Sequence, residues 1–221
     1  MQIKKLGHCC LLIQIDNLKI LTDPGIFSPS ILPPFSKDQN NLVGINLVLI
    51  THEHSDHLHV ESLKEVIKNN PEVKVITNTG VSKVLDEAGI PYSILEGRNS
   101  TEVDGVFLEA FDCKHEEIFE EIGQVQNTGY FIANKLFYPG DSYCNPEKSV
   151  EVLALPVAGP WCKIPDAIRY ALSLKPKKAF PVHDGMLQIE RIGGSHKIPE
   201  KVLTENGIEF VVMNEGDEKE F

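Results

Sequence analysis

The stretch Ile45-Asn46-Leu47-Val48-Leu49-Ile50 runs directly into Thr51-His52-Glu53-His54-Ser55-Asp56-His57. Its first half is short and almost wholly apolar, the pattern of a strand buried on both faces. Its second half is polar and must leave the sheet as a loop. In an extended loop, residues two apart project to the same side, so His52 and His54 can converge on one cation. Asp56 and His57 lie where the chain turns into the next helical pattern and can aim at a second cation beside the first. Neutral imidazole and carboxylate suit divalent zinc, manganese or iron. Four potential ligands within six residues, at the end of a core strand, are not what an ordinary solvated loop carries.

Working outward, the chain opens with strand patterns at Gln2 to Leu6, Cys9 to Ile15 and Leu18 to Leu21, with a turn at Asp16-Asn17. Residues 24 to 44 contain Pro24, Gly25, Pro29, Pro33, Pro34 and Gly44 and read as a long irregular loop. Helical spacing is predicted over Leu58 to Asn69, Val81 to Ala88, Asp166 to Leu174 and Pro199 to Glu205. Strands are expected at Val73 to Thr77, through much of Pro91 to Asp141, and at Val152 to Val157, Lys178 to Val182 and Ile208 to Met213. The acidic tail, Asn214 to Phe221, is expected to fray. Helices in both halves around a strand-rich middle fit two sheets packed face to face with helices outside each. With no repeat and no linker composition, the reading is one α/β domain over residues 1–221.

The 221 residues hold 21 Lys and Arg against 32 Asp and Glu, a net charge of −11. Hydrophobic and charged fractions of 42% and 24% exclude a disordered chain. No apolar run approaches the ~20 residues of a membrane span, and the N-terminus lacks a small-residue cleavage site. Five cysteines do not read as a disulfide framework, so all five are taken as small buried residues in a reducing, cytoplasmic setting. Adjacent in a strand, Cys9 and Cys10 point to opposite faces. The acidic balance makes nucleic acid an unlikely partner.

The His-x-His-x-Asp-His pattern resembles the signature of the metallo-β-lactamase superfamily, and the resemblance extends over residues 1 to about 190. His115 in Phe111-Asp112-Cys113-Lys114-His115, Asp141 in Phe137-Tyr138-Pro139-Gly140-Asp141-Ser142, and His183 in Ala179-Phe180-Pro181-Val182-His183-Asp184 follow in the family's order, each after a strand. Leu6-Gly7-His8, Leu21-Thr22-Asp23-Pro24 and Gly129-Tyr130-Phe131-Ile132 are similar to the UlaG-like branch of small metal-dependent hydrolases. The resemblance implies a four-layer αββα sandwich. It implies one site of His52, His54 and His115, a second of Asp56, His57 and His183, and Asp141 bridging them. It further implies two divalent ions (zinc first, manganese or iron(II) also suited) and a bridging hydroxide nucleophile. Asp56 would serve as general base. The metals would reverse the local sign of an acidic chain, so an anionic lactone or phosphodiester is the expected small-molecule substrate.

Two other classes use the same ligands: a di-iron oxidoreductase and a non-catalytic metal-binding module. Histidine at position 54, where di-iron members carry Glu, favours the hydrolase. His8 and Asp23 either orient ligand histidines or are polar strand ends. His59 and His196 are expected at the surface. Ile118-Phe119, the 24–44 loop and Val157 to Lys163 are candidate walls. Trp161 either stacks on a substrate or caps the core, with core packing favoured for a lone aromatic, and Lys114 and Lys163 are candidate contacts to an anionic group. A homo-oligomer is left open.

Overall fold

A computed structural model describes residues 1–28, 43–188, 190 and 192–221. The order of elements is β1 (Gln2–Gly7), β2 (Cys10–Ile15), β3 (Leu18–Thr22), β4 (Leu47–Leu49), α1 (Val60–Asn69), β5 (Lys74–Thr77), α2 (Thr79–Ala88) and β6 (Ser93–Ile94). Then come β7 (Ser100–Val103), β8 (Val106–Lys114), β9 (Gln126–Ile132), β10 (Leu136–Tyr138), β11 (Val152–Pro156), α3 (Ile164–Leu174), β12 (Lys178–Val182), α4 (Gly193–Glu205), β13 (Glu209–Phe210) and β14 (Glu218–Glu220). One sheet runs β14-β1-β2-β3-β4-β5-β6 and the other β13-β12-β11-β10-β9-β8-β7.

Strand alternation generates the layers. Side chains along a strand point alternately to its two faces. In β4, Leu47 and Leu49 enter a core shared by both sheets, while Val48 joins a core with Leu63 and Val66 of α1 and Val81 and Leu85 of α2. In β11, Val152 and Ala154 enter the shared core, while Leu153 and Leu155 pack with Ala167, Ile168 and Ala171 of α3 and Leu203 of α4. Both strands are therefore buried on two faces, which is why they read as continuous apolar runs. Three cores between four layers make the αββα sandwich of the metallo-β-lactamase fold. Cys9 lies in the shared core and Cys10 in the outer one, on opposite faces as expected.

Strand direction then positions the site. β4 is parallel to β3 and β5. In the second sheet β9 is antiparallel to both β8 and β10, so those two run the same way, and β10, β11 and β12 are parallel. The carboxyl ends of β4, β8, β10 and β12 lead into His52, His115, Asp141 and His183 respectively. Ligand sites in α/β sheets gather at such carboxyl ends.

Two expectations are corrected here. The tail does not fray: Glu218–Glu220 pairs antiparallel with β1, in register Gln2↔Glu220 and Lys4↔Glu218. Its side chains are exposed, so its composition reads as solvated while its backbone completes a sheet edge. The last helix begins at Gly193, six residues before Pro199: the Gly193-Gly194 pair reads as loop in the sequence yet forms the first turn of a helix whose buried residues are His196, Pro199 and Leu203. Residues 29–42, most of the long loop, lie outside the described residues.

Phe221 is 9% exposed, its ring centroid is 5.0 Å from that of Phe180, and its N–H donates to Met1 O at 2.8 Å. Phe221→Ala is expected to cost about 3 kcal/mol, the scale of a buried Phe truncation. Glu220→Ala, exposed on the same strand, should stay within about 0.5 kcal/mol. Denaturant midpoints of the two variants check both.

Candidate metal centre

The signature loop is anchored before any ligand is considered. Asp23, fully buried at the end of β3, accepts the Thr51 N–H at 2.8 Å on Oδ1 and the Thr51 hydroxyl at 2.8 Å on Oδ2. The same Oδ2 lies 2.7 Å from His57 Nδ1 and 2.6 Å from the Tyr138 hydroxyl. A Cβ at Gly25 would sit 1.7 Å from Asp56 O, so only glycine lets the Asp23-Pro24-Gly25 turn press against the signature loop. The Gly140 turn before Asp141 has φ +64, and a Cβ there would meet Asn127 Oδ1 at 2.3 Å.

These partners fix the tautomers. His57 Nδ1–H donates to Asp23, His115 Nδ1–H to Glu116 O at 2.6 Å, and His52 Nδ1–H to Thr51 Oγ1 at 3.0 Å. Each imidazole is therefore pinned by its outward nitrogen, leaving Nε2 for the interior. His52 Nε2, His57 Nε2, both ring nitrogens of His183 and Asp141 Oδ1 are buried with no hydrogen-bond partner. Such orphaned groups are costly unless something satisfies them. Around them, His52, His54 and His115 offer nitrogens within 4.8 Å of one another, and so do His52 and His57 with an Asp141 oxygen. Asp141 is central, with His57 Nε2 3.1 Å away on Oδ1, and His183 Nε2 at 2.7 Å and His115 Nε2 at 3.2 Å on Oδ2. Unpartnered nitrogens converging on shared carboxylates form a donor set that fits divalent cations.

The protonation behaviour agrees. Burial holds His52 well below the ordinary imidazole range, hence neutral. For His57 burial works the same way, but Asp141, Cys9 and Asp23 outweigh it and raise the ring; a cation would displace that proton. Burial opposes ionisation of Asp141 too, and the neighbouring His183 and His57 overcome it, keeping the carboxylate charged.

Asp56 stands on the other side. Its Oδ2 is 3.7 Å from His183 Nε2 and 3.3 Å from His8 Nε2. His8 is fully buried, and its Nδ1 accepts the Gly185 N–H at 3.2 Å, so its proton sits on Nε2 and points at Asp56. Its ring centroid is 4.1 Å from that of His183, and burial pushes its pKa down to about 4. His8, Asp23 and His183 all have positive φ, at 45°, 36° and 65°. Such non-glycine strain, on the order of 1–3 kcal/mol each, gathers where surrounding structure over-determines it.

All seven sequence-singled residues, His52, His54, Asp56, His57, His115, Asp141 and His183, thus meet in one place. His8 and Asp23 are resolved as residues touching them. Trp161 is buried and also lines the cleft, as one of the candidate walls: its Nε1–H donates to Asp141 Oδ2 at 2.9 Å. Ile118, Pro160 and Met186 line the same cleft of about 280 Å³. Met186 was not anticipated; its position three residues after His183 was the available signal. Lys114 and Lys163 are exposed and do not line it.

The surface expectation for His59 is also revised, because its ring caps α1, accepting the Ser62 N–H at 3.3 Å. His196 is buried, with Nε2 2.7 Å from Asp184 Oδ2. Asp184 in turn takes Lys5 Nζ at 2.7 Å, and that ammonium also donates to Pro181 O and Met213 O. A lone His beside two glycines carries no sign of this distant pairing. The cysteine reading is corrected as well. Cys113 and Cys144 form a disulfide between the strand that leads to His115 and the loop after Asp141, leaving Cys9, Cys10 and Cys162 free. With that bond, the cysteine count no longer argues for a reducing compartment. Cys9 could join His8, His57 and His183 in a further grouping, but burial pushes its thiol up to about 12.

Two mixed sheets with a histidine- and aspartate-rich cluster where they meet define a metallo-hydrolase type of protein. Residues 2–183 match the model of the beta-lactamase superfamily domain, and the chain belongs to the metallo-β-lactamase superfamily. The chain is 29% identical over 192 residues to Rv0786c, a protein of Mycobacterium tuberculosis, covering 85% of each. It is 24% identical over 221 residues to a UPF0173 metal-dependent hydrolase of Methanocaldococcus jannaschii, covering 96% of each. A metallo hydrolase from Ignicoccus hospitalis superposes with a TM-score of 0.76 at 19% identity, over 100% of this chain and 98% of that one. Among the described residues, no helix is long and apolar enough to cross a membrane.

Protein prepared without reductant should titrate three thiols once denatured and five after reduction. A count of five in the unreduced sample would remove the Cys113–Cys144 bond. A second expectation concerns Asp184, whose burial would raise its pKa but is outweighed by Lys5 and His196, leaving it lowered. A depressed carboxyl contributes stability that is present above its unfolded value, near 3.8, and is lost as pH falls through the folded one. Lys5→Met should therefore destabilise by about 3–5 kcal/mol at pH 7 by stranding a buried carboxylate. That deficit should shrink below about pH 4, as measured by denaturant melts across pH.

Proposed function

We propose that this metal-dependent hydrolase of the metallo-β-lactamase fold works through a dinuclear centre within a single domain of residues 1–221. His52, His54 and His115 hold one divalent cation, Asp56, His57 and His183 hold a second, and Asp141 serves both. Zinc is the first choice for this imidazole and carboxylate set. The observation that carries the reading is the set of buried atoms that make no hydrogen bond, Nε2 of His52, His57 and His183 and Oδ1 of Asp141, with the Nδ1 protons of His52 and His57 committed outward.

When bound, two such cations supply a hydroxide nucleophile at neutral pH and polarise the scissile oxygen of a small lactone, ester or phosphodiester. The protein does the rest. Asp56 opens onto the cleft and is held ionised: burial works against this, but the His8 hydrogen bond and the neighbouring His57 outweigh it. It can therefore take the proton of the attacking water and return it to the leaving group. His8 Nε2–H keeps that carboxylate turned toward the reacting face, and Gly185 N–H keeps His8 in the required tautomer. Trp161 Nε1–H occupies one lone pair of Asp141 Oδ2 and so directs the remaining lone pairs inward.

Metal analysis of purified variants tests the assignment. Wild type is expected to retain two equivalents of zinc, and His54→Ala and Asp141→Asn at most one each, with hydrolysis falling at least a hundredfold. Two equivalents in both variants would sink the ligand set.

A further inference from the structure

The walls of the cleft carry a message that its floor does not. Above the histidines and aspartates, the cleft is bounded by Ile118, Pro160, Trp161 and Met186, and no Lys or Arg lines it among the described residues. Ile118 sits on a tight turn closed by Ile122 N–H to Phe119 O at 2.9 Å. Phe119 and Ile122, on the same turn, are each 62% exposed, the highest exposures among the large apolar side chains described. Met186, in the same lining and three residues after His183, is 40% exposed. Among the lining residues, Ile118, Pro160, Trp161 and the part-exposed Met186 make an apolar surface of the kind that is covered in use.

Charge sharpens the point. Any cations held on the floor meet one polar reacting group. A second anionic group, carried on the remainder of the substrate, would lie between Ile118, Met186, Pro160 and Trp161. There it would lose hydration with no Lys or Arg among the described lining residues to meet it. The two lysines nearest in sequence, Lys114 and Lys163, are exposed and outside the lining. A volume of about 280 Å³ lies just below the usual range of ligand clefts, ~300–1,000 Å³, and leaves room for no more than a short chain or one ring beyond the reacting group.

We infer that the substrate is a small carboxylic ester, thioester or lactone whose remainder is apolar and uncharged, rather than a phosphorylated sugar or other multiply charged molecule. This rests on the hydrolase reading above and narrows it. In the reaction, the oxygen of water bonds to the acyl carbon and the acyl C–O or C–S bond breaks. One water proton ends on the leaving oxygen or sulfur, and the other is released from the carboxylic acid product to solvent.

Trp161, the chain's sole tryptophan, lines this cleft, so its fluorescence reports binding without turnover. Zinc-loaded full-length protein is titrated with acetohydroxamate, hexanohydroxamate and 6-phosphogluconate, and assayed on p-nitrophenyl acetate, p-nitrophenyl butyrate, bis-p-nitrophenyl phosphate and 6-phosphogluconolactone. Hexanohydroxamate should bind at least about tenfold tighter than acetohydroxamate, well within what four added methylenes can supply at ~0.8 kcal/mol each. The butyrate ester should exceed the acetate in kcat/KM, bis-p-nitrophenyl phosphate and 6-phosphogluconolactone should be the poorest substrates, and 6-phosphogluconate should be the weakest ligand. Ile118→Ser and Met186→Ser should each weaken hexanohydroxamate three- to tenfold and leave acetohydroxamate within twofold. Equal or tighter binding of 6-phosphogluconate, or no chain-length preference, overturns the substrate class. Hydrolysis of none of the four compounds, with the chain-length preference intact, overturns the hydrolase reading instead.

Discussion

The Asp23 carboxylate is the constraint on which the site depends. It is fully buried where the two sheets meet, and a buried carboxylate is tolerable only when its lone pairs are filled. Thr51 fills them twice, from its N–H and its hydroxyl, His57 fills them from Nδ1, and the Tyr138 hydroxyl lies against the same oxygen. One carboxylate thereby ties the end of β3, the start of the signature loop and the end of β10. Because Thr51 also takes the Nδ1 proton of His52, two imidazoles are aimed by a single hub.

The interior face of the cluster follows by subtraction. Once outward nitrogens are committed, the inward Nε2 atoms of His52 and His57 make no hydrogen bond, and they gather around Asp141 with His115 and His183. A folded chain does not keep such a set of unpartnered polar atoms cheaply, which makes a cation the economical explanation. Around that polar floor the described walls turn apolar, with Ile118, Pro160, Trp161 and Met186 lining the cleft.

A second buried charge pair stands behind the first. Lys5, Asp184 and His196 join the first strand, the residue after His183 and the last helix, and they lock the His183 turn into its left-handed backbone from behind. On the other flank, Cys113–Cys144 links the strand leading to His115 with the loop after Asp141. Residues that carry no chemistry thus hold both loops whose residues do.

The four-layer architecture was legible in the chain because two-faced burial writes itself as apolar runs, seen in Leu47 to Ile50 and Val152 to Val157. The clustering of the candidate residues was legible because His52, His54, Asp56 and His57 are local, and because His115, Asp141 and His183 each end a recognisable strand. What stayed illegible depends on partners far away along the chain. His196 meets Asp184 only when α4 packs back, and Cys113 finds Cys144 only when β8 and the loop after β10 come together. Phe221 is buried only because β1 leaves an edge for β14, and Trp161 reaches Asp141 across the mouth of the cleft. Local periodicity and spacing record what a residue does within its own element. Tertiary structure alone decides which unpaired donor, thiol or apolar face is brought to meet it, because that pairing is set by the packing of whole sheets and helices.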